Sequence, residues 1–428
     1  MSAIIKDIFL ACKNIETSFL LITFNEEGGK METYLVLKDL AIIIVFAKFF
    51  GLVARKCKAP MVVGEIIAGI IIGPCLLGLV EQTEFLSYMS EIGVILIMFS
   101  AGLETNLKEI KKSGFMALMI ACAGVLVPLI GGTIVYLAFY GFKEFSIQDP
   151  NFYTAIFIGC IMTATSVGIT VETLKELGYI QGRIGQAILS AAIIDDVIGI
   201  IVLTFVISLN NTETKFSDVV IKSGAFFILA LVGGVIFYKL FKRVDHRYVH
   251  TRRIPIIGLT LCFAMAFIAE EYFGIADITG AYLAGIILCN VEDASYIDRK
   301  VTVSNYMIFG PIFFVMIGLK TDINAIDTSM LWFSLAFVAV ACITKIIGCG
   351  LCAKCFKIKT IDCFKVGVGM MTRGEVALII TQKGQKLGII SDAYSTPVIL
   401  LIIFSSITVP ILLKLLYAKS PDPDVKTA

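Results

Sequence analysis

Two adjacent carboxylates, Asp195 and Asp196, interrupt the apolar run Ile188-Leu-Ser-Ala-Ala-Ile-Ile-Asp-Asp-Val-Ile-Gly-Ile-Ile-Val-Leu-Thr204. The nearest charged residues along the chain are Arg183 before the pair and Glu213 after it. Because an α-helix rises about 1.5 Å per residue, the pair lies roughly 18 Å from Arg183, near the middle of a bilayer's hydrocarbon core. Carboxylates at that depth are costly and indicate a pathway for ions or protons.

The composition predicts a membrane protein with many spans. The 428 residues are 58% hydrophobic and only 16% charged, with a mean hydropathy of +0.91, whereas soluble domains carry about a quarter charged residues. A net charge of +2 without a basic stripe gives no indication of a nucleic-acid partner. The twelve cysteines lie scattered in apolar segments, which is typical of packing residues rather than of a secreted disulfide framework.

Thirteen apolar segments reach the length needed to span a bilayer. They lie at 34–54, 61–80, 88–103, 115–140, 153–174, 184–208, 218–241, 254–273, 277–290, 304–319, 330–353, 364–386 and 394–417. Alternate connecting loops hold twenty Lys or Arg residues against five in the remaining loops. Because basic loops stay on the cytoplasmic side, we expect the N-terminus outside and the C-terminus inside. Residues 1–30 contain no signal-peptide cleavage pattern and are expected to contribute little.

Four short matches at nearly constant spacing, from 216 to 209 residues, divide the chain into two related halves. They pair 64–71 with 280–287, 102–105 with 318–321, 162–168 with 371–377, and Asp195-Asp196 with Ser405-Ser406. Seven predicted crossings separate equivalent positions, and because seven is odd, the two six-helix halves are inverted in the membrane. Inverted repeats are typical of secondary transporters, whose sites lie near the midplane on interrupted helices.

Two segments at membrane depth lack a continuous apolar face. They read Thr163-Ala-Thr-Ser-Val-Gly-Ile-Thr170 and Gly367-Val-Gly-Met-Met-Thr-Arg-Gly-Glu375, at matching positions of the repeat. We expect both helices to be broken there, because irregular backbone at this depth is tolerated where protein or water satisfies it. The alternative is an unbroken helix in which hydroxyl groups bond to carbonyls of the preceding turn.

Lys345 lies in an apolar helix, nine residues before Lys354. That spacing is roughly 13 Å of helix, which is too far for the lysine to reach the interface easily. A buried lysine requires a carboxylate, so we predict a Lys345–Asp195 ion pair that leaves Asp196 to bind a cation, with snorkelling as the alternative.

Arg373 and Glu375 lie at a similar depth. We interpret them as an internal charge pair that supports the half-helix ends, with a direct transport role as the alternative.

Three other charged positions are interpreted as structural. Glu65 follows Pro60 by a few residues, so we expect it in a first helical turn, where an acidic side chain suits the helix dipole. Glu104 and Lys320 occupy equivalent repeat positions at helix ends and are predicted to be interfacial.

Two patterns with metal-like spacing have simpler interpretations. His246 and His250 lie in a basic, solvated loop, where pH sensing is the alternative. Cys349, Cys352 and Cys355 form C-x-x-C-x-x-C at the end of a predicted transmembrane helix, where small residues favour close packing. No P-loop and no dinucleotide-binding glycine motif occurs, so neither an ATP-driven pump nor an enzyme is indicated. No cofactor is predicted.

Taken together, these motifs resemble a known family. The chain combines Ala164-Thr-Ser-Val-Gly-Ile-Thr170, Asp195-Asp196, Thr344-Lys345, Arg373-Gly-Glu375, Gly64-Glu-Ile-Ile-Ala-Gly69 and Ala101-Gly-Leu-Glu104. This combination is similar to the monovalent cation:proton antiporter-2 family, and within it to NapA-type sodium/proton antiporters, which have an NhaA-like fold. The resemblance covers nearly the whole chain from about residue 34.

The resemblance implies an all-α fold of 13 transmembrane helices with two domains. The implied divisions are an N-terminal extension (1–33), a dimerisation domain (34–104 and 254–320), a core ion-transport domain (115–208 and 330–417), a linker helix (218–243) and a C-terminal tail (418–428). The core is expected to move like an elevator against a homodimeric scaffold. A bacterial plasma membrane is the expected location.

The resemblance also implies roles for individual residues. Asp196 matches the carboxylate that binds the transported cation or proton, and Asp195 matches its partner, which exchanges a salt bridge with Lys345. Thr165 and Ser166 match positions that help to coordinate the ion. The implied function is electrogenic exchange of Na⁺, or Li⁺ or K⁺, for protons.

Three alternatives differ in their substrate or mechanism. A Kef-type potassium/proton antiporter is one, although those relatives carry a nucleotide-binding domain and this chain stops at Ala428. A sodium-coupled symporter of organic solutes would need a larger cavity than exchange requires. A cation channel or a transporter-derived sensor is the third.

Overall fold

The computed structural model describes residues 33–74, 76–105, 107–141, 150–208, 216–247, 250–320 and 330–422. The described chain divides into two compact units, one ending at Ala41 and one beginning at Ile42. Every tertiary contact discussed below lies within the second unit. The predictions for residues 1–30 and for His246 lie outside the described residues or side chains.

Helices joined by short connections make up the regular structure of these residues, with no β-strand among them. The α-helices are α1 (Thr33–Lys56), α2 (Met61–Ile72), α3 (Glu84–Leu103), α4 (Leu107–Tyr140), α5 (Pro150–Thr163), α6 (Val167–Glu176), α7 (Arg183–Ser208), α8 (Phe216–Arg247), α9 (Arg253–Phe267), α10 (Asp277–Leu288), α11 (Ala294–Ser304), α12 (Gly310–Leu319), α13 (Leu331–Cys355), α14 (Thr360–Gly369), α15 (Glu375–Lys386) and α16 (Ser395–Lys419). Two π-helical turns, Ile268–Tyr272 and Asn305–Phe309, extend α9 and join α11 to α12.

Within the described residues, nine helical segments are long and apolar enough to cross a membrane. They are Glu84–Leu103, Gly114–Tyr140, Asn151–Glu176, Arg183–Ile207, Val220–Arg243, Arg253–Tyr272, Ala294–Leu319, Leu331–Cys355 and Ser395–Lys419. The shorter α2 and α10 are also apolar. The predicted segment 61–80 is longer than the helix, which ends at Ile72 because Pro74 disfavours helical backbone at Gly73.

Two helical segments are interrupted, as the hydroxyl- and glycine-rich motifs predict. The first break separates α5 from α6, and the second separates α14 from α15. The breaks touch each other: the Ser166 N–H donates to the Thr372 carbonyl at 2.9 Å, and the Thr372 hydroxyl donates to the Ser166 carbonyl at 2.8 Å. The alternative of unbroken helices is therefore wrong, and Thr372 in the second break satisfies both backbone groups of Ser166 in the first.

Glycines allow two pairs of helices to approach very closely. A methyl group built on Gly69 of α2 would lie 3.0 Å from the Gly318 Cα atom of α12, and one built on Gly102 of α3 would lie 2.8 Å from the Gly285 Cα atom of α10. All four glycines belong to the motifs that form the repeat predicted from the sequence. Small residues at such crossings let apolar helices pack backbone to backbone.

A second set of helices packs around α4, which contacts α5, α7 and α13. Helix α13 in turn contacts α14 and α16. These contacts bring the middle of α7, with the two aspartates, against the first helix break and against Lys345 of α13.

Candidate ion-binding site

A buried ion pair lies beside the first helix break. The Lys345 ammonium lies 2.9 Å from Asp195 Oδ1 and 3.1 Å from Oδ2. Both side chains are almost fully buried, with 0% of the lysine and 2% of the aspartate exposed. The structure thus brings these two predicted residues together, and the lysine does not extend towards the surface.

Thr165 connects the broken helix to this pair. Helix α5 ends where the Thr163 hydroxyl turns back to donate to the Cys160 carbonyl at 2.8 Å. Two residues later, in the break, Thr165 Oγ1 donates to Asp195 Oδ2 at 2.6 Å. The carboxylate is therefore held by one hydroxyl and one ammonium.

Lys345 also donates to two main-chain oxygens. Its ammonium lies 2.8 Å from the Gly124 carbonyl of α4 and 3.1 Å from the Thr163 carbonyl at the end of α5. Placing two charges in a low-dielectric interior costs more than their attraction returns unless further hydrogen bonds complete the site. These carbonyls supply such bonds, and nothing in the sequence around Gly124 indicated them.

Asp196 occupies a different environment from its neighbour. Successive helical residues point about 100° apart, and Asp196 is only partly buried, whereas Asp195 is buried. Ser166 lies in the adjacent break with 1% of its side chain exposed, and its hydroxyl oxygen has no hydrogen-bond partner among the described residues. Carboxylate, hydroxyl and carbonyl oxygens are the ligands that hard cations favour.

Arg373 lies in the second break and neutralises the ends of both broken helices. Its guanidinium donates to the Met162 carbonyl at 2.7 Å and also to the carbonyls of Met370, Met371 and Thr372, at 3.1 to 3.3 Å. Helix C-termini carry partial negative charge, so a fully buried cation is favourable there. Glu375 begins α15, but its side chain lies outside what the structure describes, so the predicted Arg373–Glu375 pair stays a prediction.

Two serines of α16 support the second break. The Arg373 N–H donates to Ser405 Oγ at 3.0 Å, and the Ser406 hydroxyl donates to the Arg373 carbonyl at 3.3 Å. In the repeat predicted from the sequence, these serines correspond to Asp195 and Asp196. The two breaks are thus supported by different chemistry, an acidic pair at one and a hydroxyl pair at the other.

A second charged cluster, centred on Lys175, lies at a cavity of about 230 Å³ between α6 and neighbouring helices. Lys175, near the end of α6, lies 3.0 Å from Glu104 Oε1 and 3.6 Å from Asp298 Oδ1, and it also donates to Ser100. The Glu176 carboxylate accepts the Met61 N–H at 2.8 and 2.9 Å. The sequence did not indicate this cluster, because its members come from helices far apart along the chain.

The expectation for Glu65 is wrong. It lies in the second turn of α2, beyond the reach of the helix's first N–H groups, and its carboxylate pairs with Lys48 at 3.1 Å. Glu104 and Lys320 cap the C-terminal ends of α3 and α12, at helix ends as expected.

Of the residues with metal-like spacing, Cys349 lies near the buried Lys345–Asp195 pair. His250 is exposed and pairs with Asp293 at 3.2 Å. Cys349 is buried, Cys352 is half-buried and Cys355 is exposed along the end of α13. Within the described part of the chain, no group of three or more His, Cys, Asp or Glu side chains has the arrangement of a metal site.

Apolar helices of spanning length that meet at two broken segments, beside a buried aspartate–lysine pair, are typical of a multi-pass membrane protein that transports ions. The chain belongs to the sodium/hydrogen exchanger family, whose transmembrane-domain profile matches residues 41–418. It is accordingly an antiporter of monovalent cations and protons rather than an enzyme.

Named relatives cover nearly the same stretch. The chain is 34% identical over 378 residues to the Na⁺/H⁺-K⁺ antiporter GerN of Bacillus cereus, covering 88% of this chain and 95% of GerN. It is 33% identical over 381 residues to an Na⁺/H⁺ antiporter of Enterococcus hirae, covering 88% and 96% of the two chains. Among solved structures, the sodium proton antiporter MjNhaP1 of Methanocaldococcus jannaschii matches with a TM-score of 0.68 over 92% of this chain and 99% of that one. At 16% identity, this match shows a common fold.

Proposed function

We propose that the chain exchanges Na⁺ for protons by competition at Asp196. A cation that reaches this carboxylate trades part of its hydration shell for carboxylate, hydroxyl and carbonyl oxygens. The neutral oxygens come from the adjacent break and from the buried hydroxyl of Ser166, which has no hydrogen-bond partner among the described residues. Because a proton and a cation cannot occupy the same carboxylate oxygens together, each displaces the other. The observation that carries the proposal is this combination of a partly buried aspartate, a broken helix and a neighbouring ion pair.

We infer that Asp195 and Lys345 provide a second exchangeable charge. The two aspartates are adjacent, so a proton or cation that binds to one changes the electrostatic field at the other. If each cycle carries two protons against one Na⁺, one net charge crosses the membrane. A potential of 100 mV then contributes about 2.3 kcal/mol, or roughly a fiftyfold ion gradient. A one-for-one exchanger gains nothing from the potential.

We further propose the elevator arrangement, with 115–208 and 330–417 as the moving core and 34–104 and 254–320 as a homodimeric scaffold. The packing of α4 with α5, α7 and α13 supports the core, and the close glycine crossings of α2 with α12 and α3 with α10 support the scaffold. Under the predicted repeat, the crossing of Gly69 with Gly318 corresponds to the crossing of Gly285 with Gly102, which supports the inverted repeat.

The paired aspartates with Lys345 favour the monovalent cation:proton antiporter-2 branch and its NapA-type members. A bacterial plasma membrane, with the C-terminus inside, is the proposed location, because the basic loops alternate consistently and the named relatives include bacterial proteins. Potassium is the second candidate ion, since the name of the relative GerN includes K⁺.

The first experiment measures cation-induced proton movement in proteoliposomes with Na⁺, Li⁺ and K⁺ added separately. We expect a signal from the wild type, its loss in Asp196→Ala, and its retention in Asp218→Ala, which removes an exposed carboxylate from α8. The ranking of the three ions identifies the preferred substrate. Wild-type transport by Asp196→Ala would refute the assigned site, and no signal with any of the ions would refute cation exchange.

A further inference from the structure

A proline inside α4 changes the hydrogen bonding of that helix beside the ion pair. Pro128 lies within the helix Leu107–Tyr140. In an α-helix the N–H of residue 128 would bond to the carbonyl of residue 124, but proline has no N–H, and its ring pushes that carbonyl aside. The Gly124 carbonyl is therefore left without its helical donor.

That carbonyl bonds to Lys345 instead. The Lys345 ammonium donates to it at 2.8 Å, the shortest of the lysine's described hydrogen bonds. The Thr163 carbonyl, released by the first helix break, accepts a second bond at 3.1 Å, and Asp195 accepts the third. An ammonium has three N–H donors, so two released carbonyls and one carboxylate match its capacity.

Glycine at position 124 makes this approach possible. A methyl group at that position would lie 2.8 Å from the Cys349 sulfur, 3.2 Å from Asp195 Oδ1 and 3.4 Å from Lys345 Nζ. Neither Gly124 nor Pro128 contributes a functional side chain. Both act through the backbone, one by leaving space and the other by withholding a donor.

We propose that Pro128 is a positioning residue for cation–proton exchange. The Gly124 carbonyl that Pro128 releases holds the Lys345 ammonium in place when the Lys345–Asp195 ion pair opens. The inference rests on the exchange mechanism proposed above, in which the Lys345–Asp195 contact breaks and re-forms in each cycle. With two carbonyls bound, the lysine keeps most of its hydrogen bonds while the carboxylates take up a proton or a cation. Opening the ion pair then costs less than it would with a single remaining acceptor.

The test restores the missing donor. In Pro128→Ala the N–H of residue 128 competes for the Gly124 carbonyl, so Lys345 depends more strongly on Asp195. We expect the KM for Na⁺ in proteoliposomes to rise on the order of tenfold, the effect of losing a hydrogen bond from a charged group. The pH profile of exchange shifts with it, because protons compete for the same aspartates.

A matched variant distinguishes the effect of the missing N–H donor from the effect of the proline ring. Lactic acid placed at position 128 by nonsense suppression gives the same methyl side chain as alanine but has an ester oxygen in place of the N–H. We expect its KM to stay within about twofold of the wild type, since its Gly124 carbonyl again has no helical donor. Pro410→Ala makes the same change in α16, where Lys345 has no described hydrogen bond, and should leave KM unchanged.

The outcomes are distinguishable from failure of the exchange mechanism itself. If the wild type exchanges cations but Pro128→Ala has an unchanged KM and pH profile, the role of Pro128 is wrong. It is equally wrong if the alanine and lactic-acid variants raise KM alike, because the ring would then be what matters. Should Pro128→Ala fail to fold, Pro128→Gly restores the N–H without added volume and gives the same readout.

Discussion

Lys345 carries its charge in a part of the protein where hydrogen bonds must replace water. Its three described acceptors come from α4, the end of α5 and α7, so one ammonium joins three helices. Removing one partner of a buried ion pair leaves an uncompensated charge, which is why such pairs are sensitive to substitution. The lysine therefore serves both the packing of the core and the proposed coupling of charge.

Substitution of Lys345 tests that coupling. We expect Lys345→Ala to exchange cations more weakly and to lose its response to an imposed membrane potential, because the second exchangeable charge is gone. The measurement is Na⁺/H⁺ exchange in proteoliposomes with and without a potassium diffusion potential. Lys222→Ala, at an exposed position of α8, should behave as the wild type. A voltage response that survives in Lys345→Ala would contradict the role given to the lysine.

The sequence predicted the residues whose charge is anomalous at membrane depth. Lys345 and Asp195 are recognisable because no charged residue belongs in their apolar surroundings. Gly124 and Ser405 are not recognisable in this way, since one acts through a backbone oxygen and the other through a single hydroxyl. Such partners become visible once the fold has brought distant helices together.

At the level of helices, α6 joins the broken-helix site to the charged cluster. Its first turn follows Ser166, and its last turn holds Lys175 and Glu176, which contact α2, α3 and α11. In the proposed elevator movement, α6 belongs to the core and these partners belong to the scaffold. The ion pairs of Lys175 must then separate whenever the core moves.

We therefore expect Lys175→Gln to reduce the population of the conformation described here. Spin labels at the exposed positions Glu81 and Gln181, one in each proposed domain, report the change as an altered distance distribution in double electron–electron resonance. Lys383→Gln, at an exposed position of α15, is the control. Identical distance distributions for the wild type and Lys175→Gln would show that this cluster does not hold the conformation.

Helical features were predictable where residues close together in the sequence mark them. The breaks were predicted because hydroxyl groups and glycines replaced an apolar face at matching positions. The length of α2 was overestimated, because hydropathy continues past Ile72 whereas the backbone turns at Gly73 and Pro74. The cluster around Lys175 was missed, since a charge at a helix end is ordinary until its partners are known.

For the whole molecule, the alternation of basic loops predicts an orientation that can be tested. Cys57 and Cys355 are exposed and lie beside basic loops, so we expect both to face the cytoplasm. In single-cysteine variants, a membrane-impermeant maleimide should label them after permeabilisation and not in intact cells. Gln82→Cys, in an opposite loop, should be labelled in intact cells. Labelling of Cys57 or Cys355 in intact cells would reverse the orientation.

The class of fold followed from composition and helix count, because few soluble chains are so apolar and so poor in charge. Hydropathy located helices, and the repeat indicated which of them correspond. Neither specified which helices touch, because crossings such as Gly69 with Gly318 depend on backbone approach between segments about 250 residues apart.

Those crossings are reciprocal. Gly69 meets Gly318, and Gly285 and Gly102, which correspond to them in the predicted repeat, meet each other. In an isologous dimer, residue i of one copy contacts residue j of the other while j contacts i, and the two crossings have this form within one chain. An ancestral polypeptide of half the length could make both contacts by pairing with a second copy of itself inserted upside down. Fusion of two such genes would then have fixed in one chain an arrangement that previously required insertion in both directions.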